Sequence, residues 1–159
     1  MKLAILAVGH RQPAWVREGC EAYLKRLPRE LPTEVIEIKP EPRTGGKTRE
    51  QLLTAEKARL LQALRGFGDR ARIVALDERG RDFDTREFAE TLNIWLAEGR
   101  DTAFLIGGAD GLDTALKTEA DTLLRLSSLT LPHGLARLLL CEQIYRAMSL
   151  LKNHPYHRE

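Results

Sequence analysis

Two short stretches of this chain gather small, polar and imidazole side chains in an order that suits a flat ligand beside a proton acceptor. The first is Leu105-Ile106-Gly107-Gly108-Ala109-Asp110-Gly111, and the second is Leu126-Ser127-Ser128-Leu129-Thr130-Leu131-Pro132-His133. An apolar run that stops at paired glycines, Gly107 and Gly108, lets a bulky ligand approach a strand's carboxyl end without meeting a Cβ. Ser127, Ser128 and Thr130 set hydroxyls and backbone amides among Leu126, Leu129 and Leu131, an environment suited to an adenosine. His133 adjoins that loop, and an unperturbed imidazole pKa of about 6.5 suits general-base work near neutral pH. Arg137, one helical turn on, and Arg158 offer guanidinium groups that steady an anion or hold a phosphate. The closing residues His154-Pro155-Tyr156-His157-Arg158 mix the groups that stack on and hydrogen-bond an extruded base. Each stretch also has a plainer reading, as turn glycines, capping hydroxyls, a structural histidine and a frayed C-terminus.

Other chemistries fit poorly. Gly46-Lys47-Thr48 imitates the end of a phosphate-binding P-loop, but Glu41 stands where that pattern needs its first glycine. The glycines after Ile106 also miss the spacing of the dinucleotide fingerprint, which counts against a nicotinamide-dependent oxidoreductase. The sequence shows no metal-ligand cluster, nucleophile elbow or Ser/His/Asp arrangement, so a reaction that needs mainly positioning fits best.

The elements that must hold these groups follow from apolar periodicity. Leu3 to Val8 is continuously apolar, as in a strand covered on both faces of a parallel sheet. Val16, Cys20, Tyr23, Leu24 and Leu27 form one helical stripe that Pro28 stops. Val35, Ile36 and Ile38 predict a strand at the sheet edge, and Lys39 to Arg49 a basic Pro/Gly-rich loop. A helix from Thr48 to Leu64 turns Leu53, Leu60, Leu61 and Leu64 inward. The strand Ile73 to Leu76 ends at Asp77, and Leu76 is thereby placed where open α/β sheets bind ligands. Asp84 and Glu87 form a capping box for a helix carrying Phe88, Leu92, Trp95 and Leu96, which Gly99 closes. Thr102 to Ile106 and Leu123 to Leu126 complete five buried strands. The last helix, Gly134 to about Lys152, carries two apolar stripes, Leu138/Cys141/Tyr145/Met148 and Leu140/Ile144/Ala147/Leu151. A subunit interface for the second stripe and a helix buried centrally in one subunit are both open.

Composition bounds the remainder. The 159 residues, 43% of them hydrophobic, suffice for one compact α/β domain over residues 1–159, and a net charge of +2 gives no strong overall field for nucleic acid. Cys20 and Cys141 match no metal spacing and read as reduced packing residues, which favours the cytoplasm. The opening apolar run is too short for a signal peptide, and nothing approaches the roughly 18 apolar residues of a membrane span.

The two stretches resemble, together with Glu142-Gln143-Ile144-Tyr145-Arg146-Ala147 and Tyr156-His157-Arg158, the ribosomal RNA large subunit methyltransferase H family. These are the small SPOUT-class enzymes that methylate N3 of a pseudouridine. The resemblance begins at Met1-Lys2-Leu3 and covers the whole chain. It implies a parallel-sheet α/β fold with a C-terminal trefoil knot, which is an exception to the rule against knots. It implies S-adenosylmethionine as cofactor, held at the positions Leu76, Gly107 with Gly108, and Leu126, Ser127, Ser128, Leu129, Thr130 and Leu131. It also implies a homodimer acting on large-subunit ribosomal RNA in the assembled ribosome. His133, Tyr156, His157 and Arg158 are then the candidate RNA contacts, with His133, Arg137 and Arg158 the candidate catalytic groups. One departure is Gly134 after the histidine, which leaves that position's substrate contact open. A ribosome-associated binding protein that kept the fold but not the reaction is the competing expectation, and methyl transfer separates the two.

Overall fold

The computed structural model of the chain describes residues 1–158. Its elements are β1 (Leu3–Val8), α1 (Ala14–Leu24), β2 (Thr33–Ile38), α2 (Arg49–Phe67), β3 (Arg72–Asp82), α3 (Thr85–Glu98), β4 (Thr102–Ile106), α4 (Thr114–Glu119), β5 (Thr122–Arg125) and α5 (His133–Leu151). All pairings are parallel, in the order β2-β1-β4-β3-β5. The edge position expected from the Ile36/Ile38 alternation is where β2 lies.

Both faces of the sheet are covered, which explains the unbroken apolar runs of β1 and β4. Leu3, Ile5 and Ala7 join Phe104 and Ile106 in a core under α1, α3 and α5. Ala4, Leu6 and Val8 join Ala103 and Leu105 in a second core under α2 and α4. Steps toward β2 carry their helices on one face and steps toward β5 on the other, so all four crossovers share one hand, as βαβ units require.

Local signals set the helix ends. Thr48 and Asp84 each form a capping box, with Gln51 and Glu87 respectively, and Gly99 closes α3 in the left-handed region at φ 70°. Helix α1 ends at Leu24, short of Pro28, because Arg26 and Leu27 donate to the carbonyls of Tyr23 and Leu24 in a tightened last turn. In α2 the buried stripe runs Leu52, Glu56, Leu60, Leu64 and Phe67, so Leu52 rather than Leu53 faces inward. A spacing of four from Leu52 to Leu64 keeps one stripe over the sheet, and Leu53 falls beside it.

The two apolar stripes of α5 are packed within the chain, against α1 on one side and α3 on the other. Leu140, Ile144 and Ala147 are fully buried. The helix is thus central in its own subunit, and neither stripe is left for a partner. Exposed apolar surface lies instead near its start, at Leu135, Leu139, Leu129 and, on α1, Trp15.

Candidate active site

Strand β3 outlasts its neighbours and breaks register on the way. Leu76 and Arg81 both pair with Leu124, so residues 77–80 loop out of the ladder at the carboxyl end of the sheet. Gly80 permits this, since a Cβ there would lie 2.7 Å from the Leu124 carbonyl carbon. At the end of β4 the chain turns sharply, with Gly111 N–H donating to the Gly108 carbonyl at 3.0 Å and Gly111 at φ 79°. A Cβ on Gly107 would lie 2.4 Å from the Gly111 carbonyl carbon. The glycine at 107 is therefore required by the loop's own backbone, a more local reason than the close ligand approach inferred from sequence.

Between these features and the loop before α5 lies a cleft of about 810 Å³. Leu76, Gly107, Gly108 and the run Leu126, Ser127, Ser128, Leu129, Thr130 and Leu131 all line it, as does His133 at the first position of α5. The loop is self-supporting, because the Ser127 hydroxyl accepts the Leu129 N–H at 2.9 Å. The lining of the cleft mixes apolar Leu76, Ile106, Leu124 and Leu126 with charged Arg49, Asp77, Glu78, Arg79, Asp110 and Lys117.

One charged lining residue, Lys117, carried no sequence signal. Lys117, on the far side of the glycine loop, meets Asp77 at 2.7 Å. Burial pushes the Asp77 carboxyl up, but hydrogen bonds from Lys117 and the Arg79 amide outweigh it and hold the group below its usual range. Arg49, paired with Asp110 at 4.0 Å, lines the cleft as well, as do Glu78 and Arg79. Such pairs join residues 40 or more positions apart, and no local pattern announces them.

Arg137 turns the other way. Its side chain is 3% exposed and its Nη1 lies 3.0 Å from Glu37 Oε1, beneath α1 in a separate groove lined also by Arg17 and Cys20. Its Nε and Nη2 are buried with no hydrogen-bond partner among the described residues. The direction of α5 decides this, since residues four apart share a face only approximately and the face at 137 is toward β2. Cys20 and Cys141 are buried together beside it as free thiols. Cys141 is pushed up by its hydrogen bond to Cys20 and by burial, which keeps it a protonated packing group.

The C-terminal residues also lie outside the cleft. The Tyr156 ring packs edge-on against Tyr145 at 4.7 Å, and its hydroxyl donates to Glu142 at 3.2 Å. Arg146, ion-paired to Glu142 at 2.6 Å, stands over the same ring, and its guanidinium lies 3.4 Å from the His157 ring. Burial, with Tyr23 and Glu142 adding to it, raises the Tyr156 phenol above its usual range. Arg158 donates to the Pro155 carbonyl. Two motifs separated by eight residues, Glu142 to Ala147 and Tyr156 to Arg158, are thus brought together. They pack together on the middle of α5, with Glu142 nine residues, or about 14 Å, along the helix from His133. Gly134 is explained by packing, for a Cβ there would lie 2.6 Å from Gln12 Oε1 and 3.3 Å from Val16 Cγ2.

Fold and cleft define an α/β protein of the SPOUT methyltransferase class. A family model described as "Predicted SPOUT methyltransferase" matches residues 1–157. Solved structures share the fold, among them a probable methylase family protein from Haemophilus influenzae Rd KW20, with a TM-score of 0.57 at 14% identity over 99% of this chain and 70% of that one. A probable methyltransferase from Bordetella pertussis Tohama I superposes with a TM-score of 0.56 at 17% identity, over 92% of this chain and 95% of that one. Nearer relatives carry the name Ribosomal RNA large subunit methyltransferase H. The one from Dechloromonas aromatica is 65% identical over all of this chain and 99% of its own length. That from Burkholderia ambifaria (strain MC40-6) is 57% identical over 99% of each. The chain belongs to the ribosomal RNA large subunit methyltransferase H family.

Proposed function

We propose that the protein is an S-adenosylmethionine-dependent methyltransferase that methylates N3 of a pseudouridine in large-subunit ribosomal RNA, acting on the assembled ribosome in the cytoplasm. The observation that carries this reading is the convergence of three separate segments, Leu76, Gly107-Gly108 and Leu126 to Leu131, on one cleft beside His133. The apolar side chains among its lining suit an adenine face, and the hydroxyls of Ser127, Ser128 and Thr130 suit the polar edges of a nucleoside. Bound there, S-adenosylmethionine supplies a methyl group already activated on a sulfonium, so the protein's task is alignment. In this reading the hydroxyl-bearing loop and the glycine turn hold the cofactor, and the loop before α5 carries the trefoil-knotted segment of a single-domain protein.

The acceptor N3 carries a proton that must leave. His133, at the cleft, is the group we assign to receive it. Tyr156, His157 and Arg158 do not line the cleft of their own chain, so we assign them to the cleft of a second copy in a homodimer. There the Arg158 guanidinium steadies the N3 anion and the tyrosine and histidine hold the extruded base. The exposed Trp15, Leu135, Leu139 and Leu129 give such a dimer an apolar surface beside the cleft. Arg137 is reassigned from catalysis to positioning, as the residue that ties the start of α5 to β2 through Glu37.

The deciding experiment is transfer of labelled methyl from S-adenosylmethionine to assembled ribosomes lacking this modification, with mass spectrometry of the nucleosides. Label on N3 of one pseudouridine is the expected result. No label on ribosomes, free subunits or naked RNA would sink the enzymatic reading in favour of a binding protein.

A further inference from the structure

We infer that the loop between β2 and α2, residues 39–48, together with Arg49, is the RNA-backbone site of this protein: Arg43 and Arg49, held in place by Asp110, take phosphate oxygens beside the cleft. The inference rests on the proposed reaction for the identity of the RNA, and goes beyond it in naming the surface and its anchor.

The loop is basic and reaches into solvent. Lys39, Arg43, Lys47 and Arg49 are exposed, and the tip glycines, Gly45 at φ 75° and Gly46 at φ 70°, have no atom within 4 Å of where a Cβ would stand. Apart from prolines the segment carries no apolar side chain, which gives a protein partner's core or a lipid nothing to bury against.

Its stem is nevertheless fixed. The Glu56 carboxylate, 9% exposed, accepts the Glu41 N–H at 3.0 Å. The Glu41 carboxylate then pairs with Lys47 at 2.5 Å and with Arg59, whose other nitrogen donates to the Lys39 carbonyl. Glu56 also lies 3.5 Å from where a Cβ on Gly108 would be, so the carboxylate that holds this stem packs beside the glycine turn of the cleft.

The outer part is tied to the same turn. Arg43 Nη2 meets Asp110 Oδ2 at 2.5 Å, and Arg49 Nη2 donates to the Asp110 carbonyl at 3.1 Å. Asp110 is mostly covered, 24% exposed, whereas the two arginines are 56% and 72% exposed. A guanidinium has five N–H donors, so each arginine can keep Asp110 on one edge and present another to a phosphate. Arg49 itself lines the cleft, as does the exposed Arg79 of the bulge. A nucleotide entering the cleft therefore brings its flanking phosphates against these side chains. That local arrangement supplies what the net charge of +2 does not.

The test is co-sedimentation of the full-length protein with ribosomes lacking the modification across a KCl series, with methyl transfer measured in parallel. Arg43→Ala is expected to weaken binding several-fold and to lower the slope of log affinity against log salt by about 1. Arg43→Ala combined with Arg49→Ala is expected to weaken it further. Asp110→Asn distinguishes anchoring from simple charge, because removing a carboxylate near RNA should tighten binding on charge alone, whereas loss of the anchor should weaken it. Folded variants that bind with wild-type affinity and salt slope overturn the inference, as does tighter binding by Asp110→Asn. If polyglutamate of matched charge competes as well as ribosomal RNA does, the surface is for an acidic protein, and the inference fails. Ribosome binding that needs Arg43 without any methyl transfer sinks the proposed reaction and leaves the surface standing. No ribosome binding by the wild-type protein sinks the surface as well.

Discussion

A methyl group at position 107 would sit 2.4 Å from the carbonyl carbon of Gly111, and the turn that shapes the cleft has no room to yield. Gly107→Val is therefore expected to lower S-adenosylmethionine affinity at least about tenfold, because overpacking here moves backbone rather than a side chain. Calorimetric titration reads this, and an unchanged affinity would remove the cleft as the cofactor site. Arg137 gives a prediction of a different kind. With its side chain 3% exposed and Glu37 at 40%, the acid compensates a buried charge while itself touching water. Glu37→Gln should then cost on the order of 2 kcal/mol in urea unfolding, by leaving a buried cation uncompensated. Arg137→Met should cost less, since it frees Glu37 to solvent. The opposite ranking would contradict a purely positioning role for this arginine.

At the scale of elements, the bulge in β3 is what sets Leu76 and Asp77 against the loop of Leu126 to Leu131. Two glycine substitutions separate its role from that of an ordinary cap. Gly80→Ala would drive a Cβ to within 2.7 Å of the β5 backbone. It is expected to cost roughly 1–3 kcal/mol and to weaken cofactor binding as well. Gly99→Ala meets no neighbouring atom and only strains a left-handed cap at φ 70°. It should cost about 1 kcal/mol with cofactor affinity unchanged. The caps and strands were legible because their signals are local: Asp84 with Glu87, Thr102 to Ile106, and the end of α3 at Gly99 all lie where the residues indicate. The bulge was not legible, since Asp77 to Gly80 reads as a turn until β5 is seen to pair on both sides of it.

For the whole molecule, the tail lies outside the cleft of its own chain, and the proposed dimer makes a definite statement about mixing. Arg158→Ala alone should reduce methyl transfer far more than cofactor binding. Co-expressed with Gly107→Val, it should recover about a quarter of wild-type activity on random assortment, and about half in isolated mixed dimers, because a mixed dimer contains one intact cleft facing one intact tail. Absence of recovery, with mixed dimers shown by mass spectrometry, would place tail and cleft in the same chain. Leu139→Glu adds a charge to the exposed apolar surface near the start of α5, where Leu139 is 40% exposed. It should shift sedimentation toward the monomer and reduce transfer in proportion.

The sequence by itself determined the parallel α/β architecture, the strand ends and the glycine and hydroxyl stretches that line part of the cleft. These rest on apolar periodicity and glycine placement, which are properties of neighbours along the chain. Tertiary structure alone decided three things. It turned Arg137 toward Glu37 and away from the cleft, and it packed both apolar stripes of α5 inside one subunit. It also brought Arg43, Arg49 and Asp110 together from loops more than 60 residues apart. The physical reason is common to all three: the direction of a side chain on a helix and the partner of a charge depend on which elements the sheet order places side by side, and that order is not written in any local pattern.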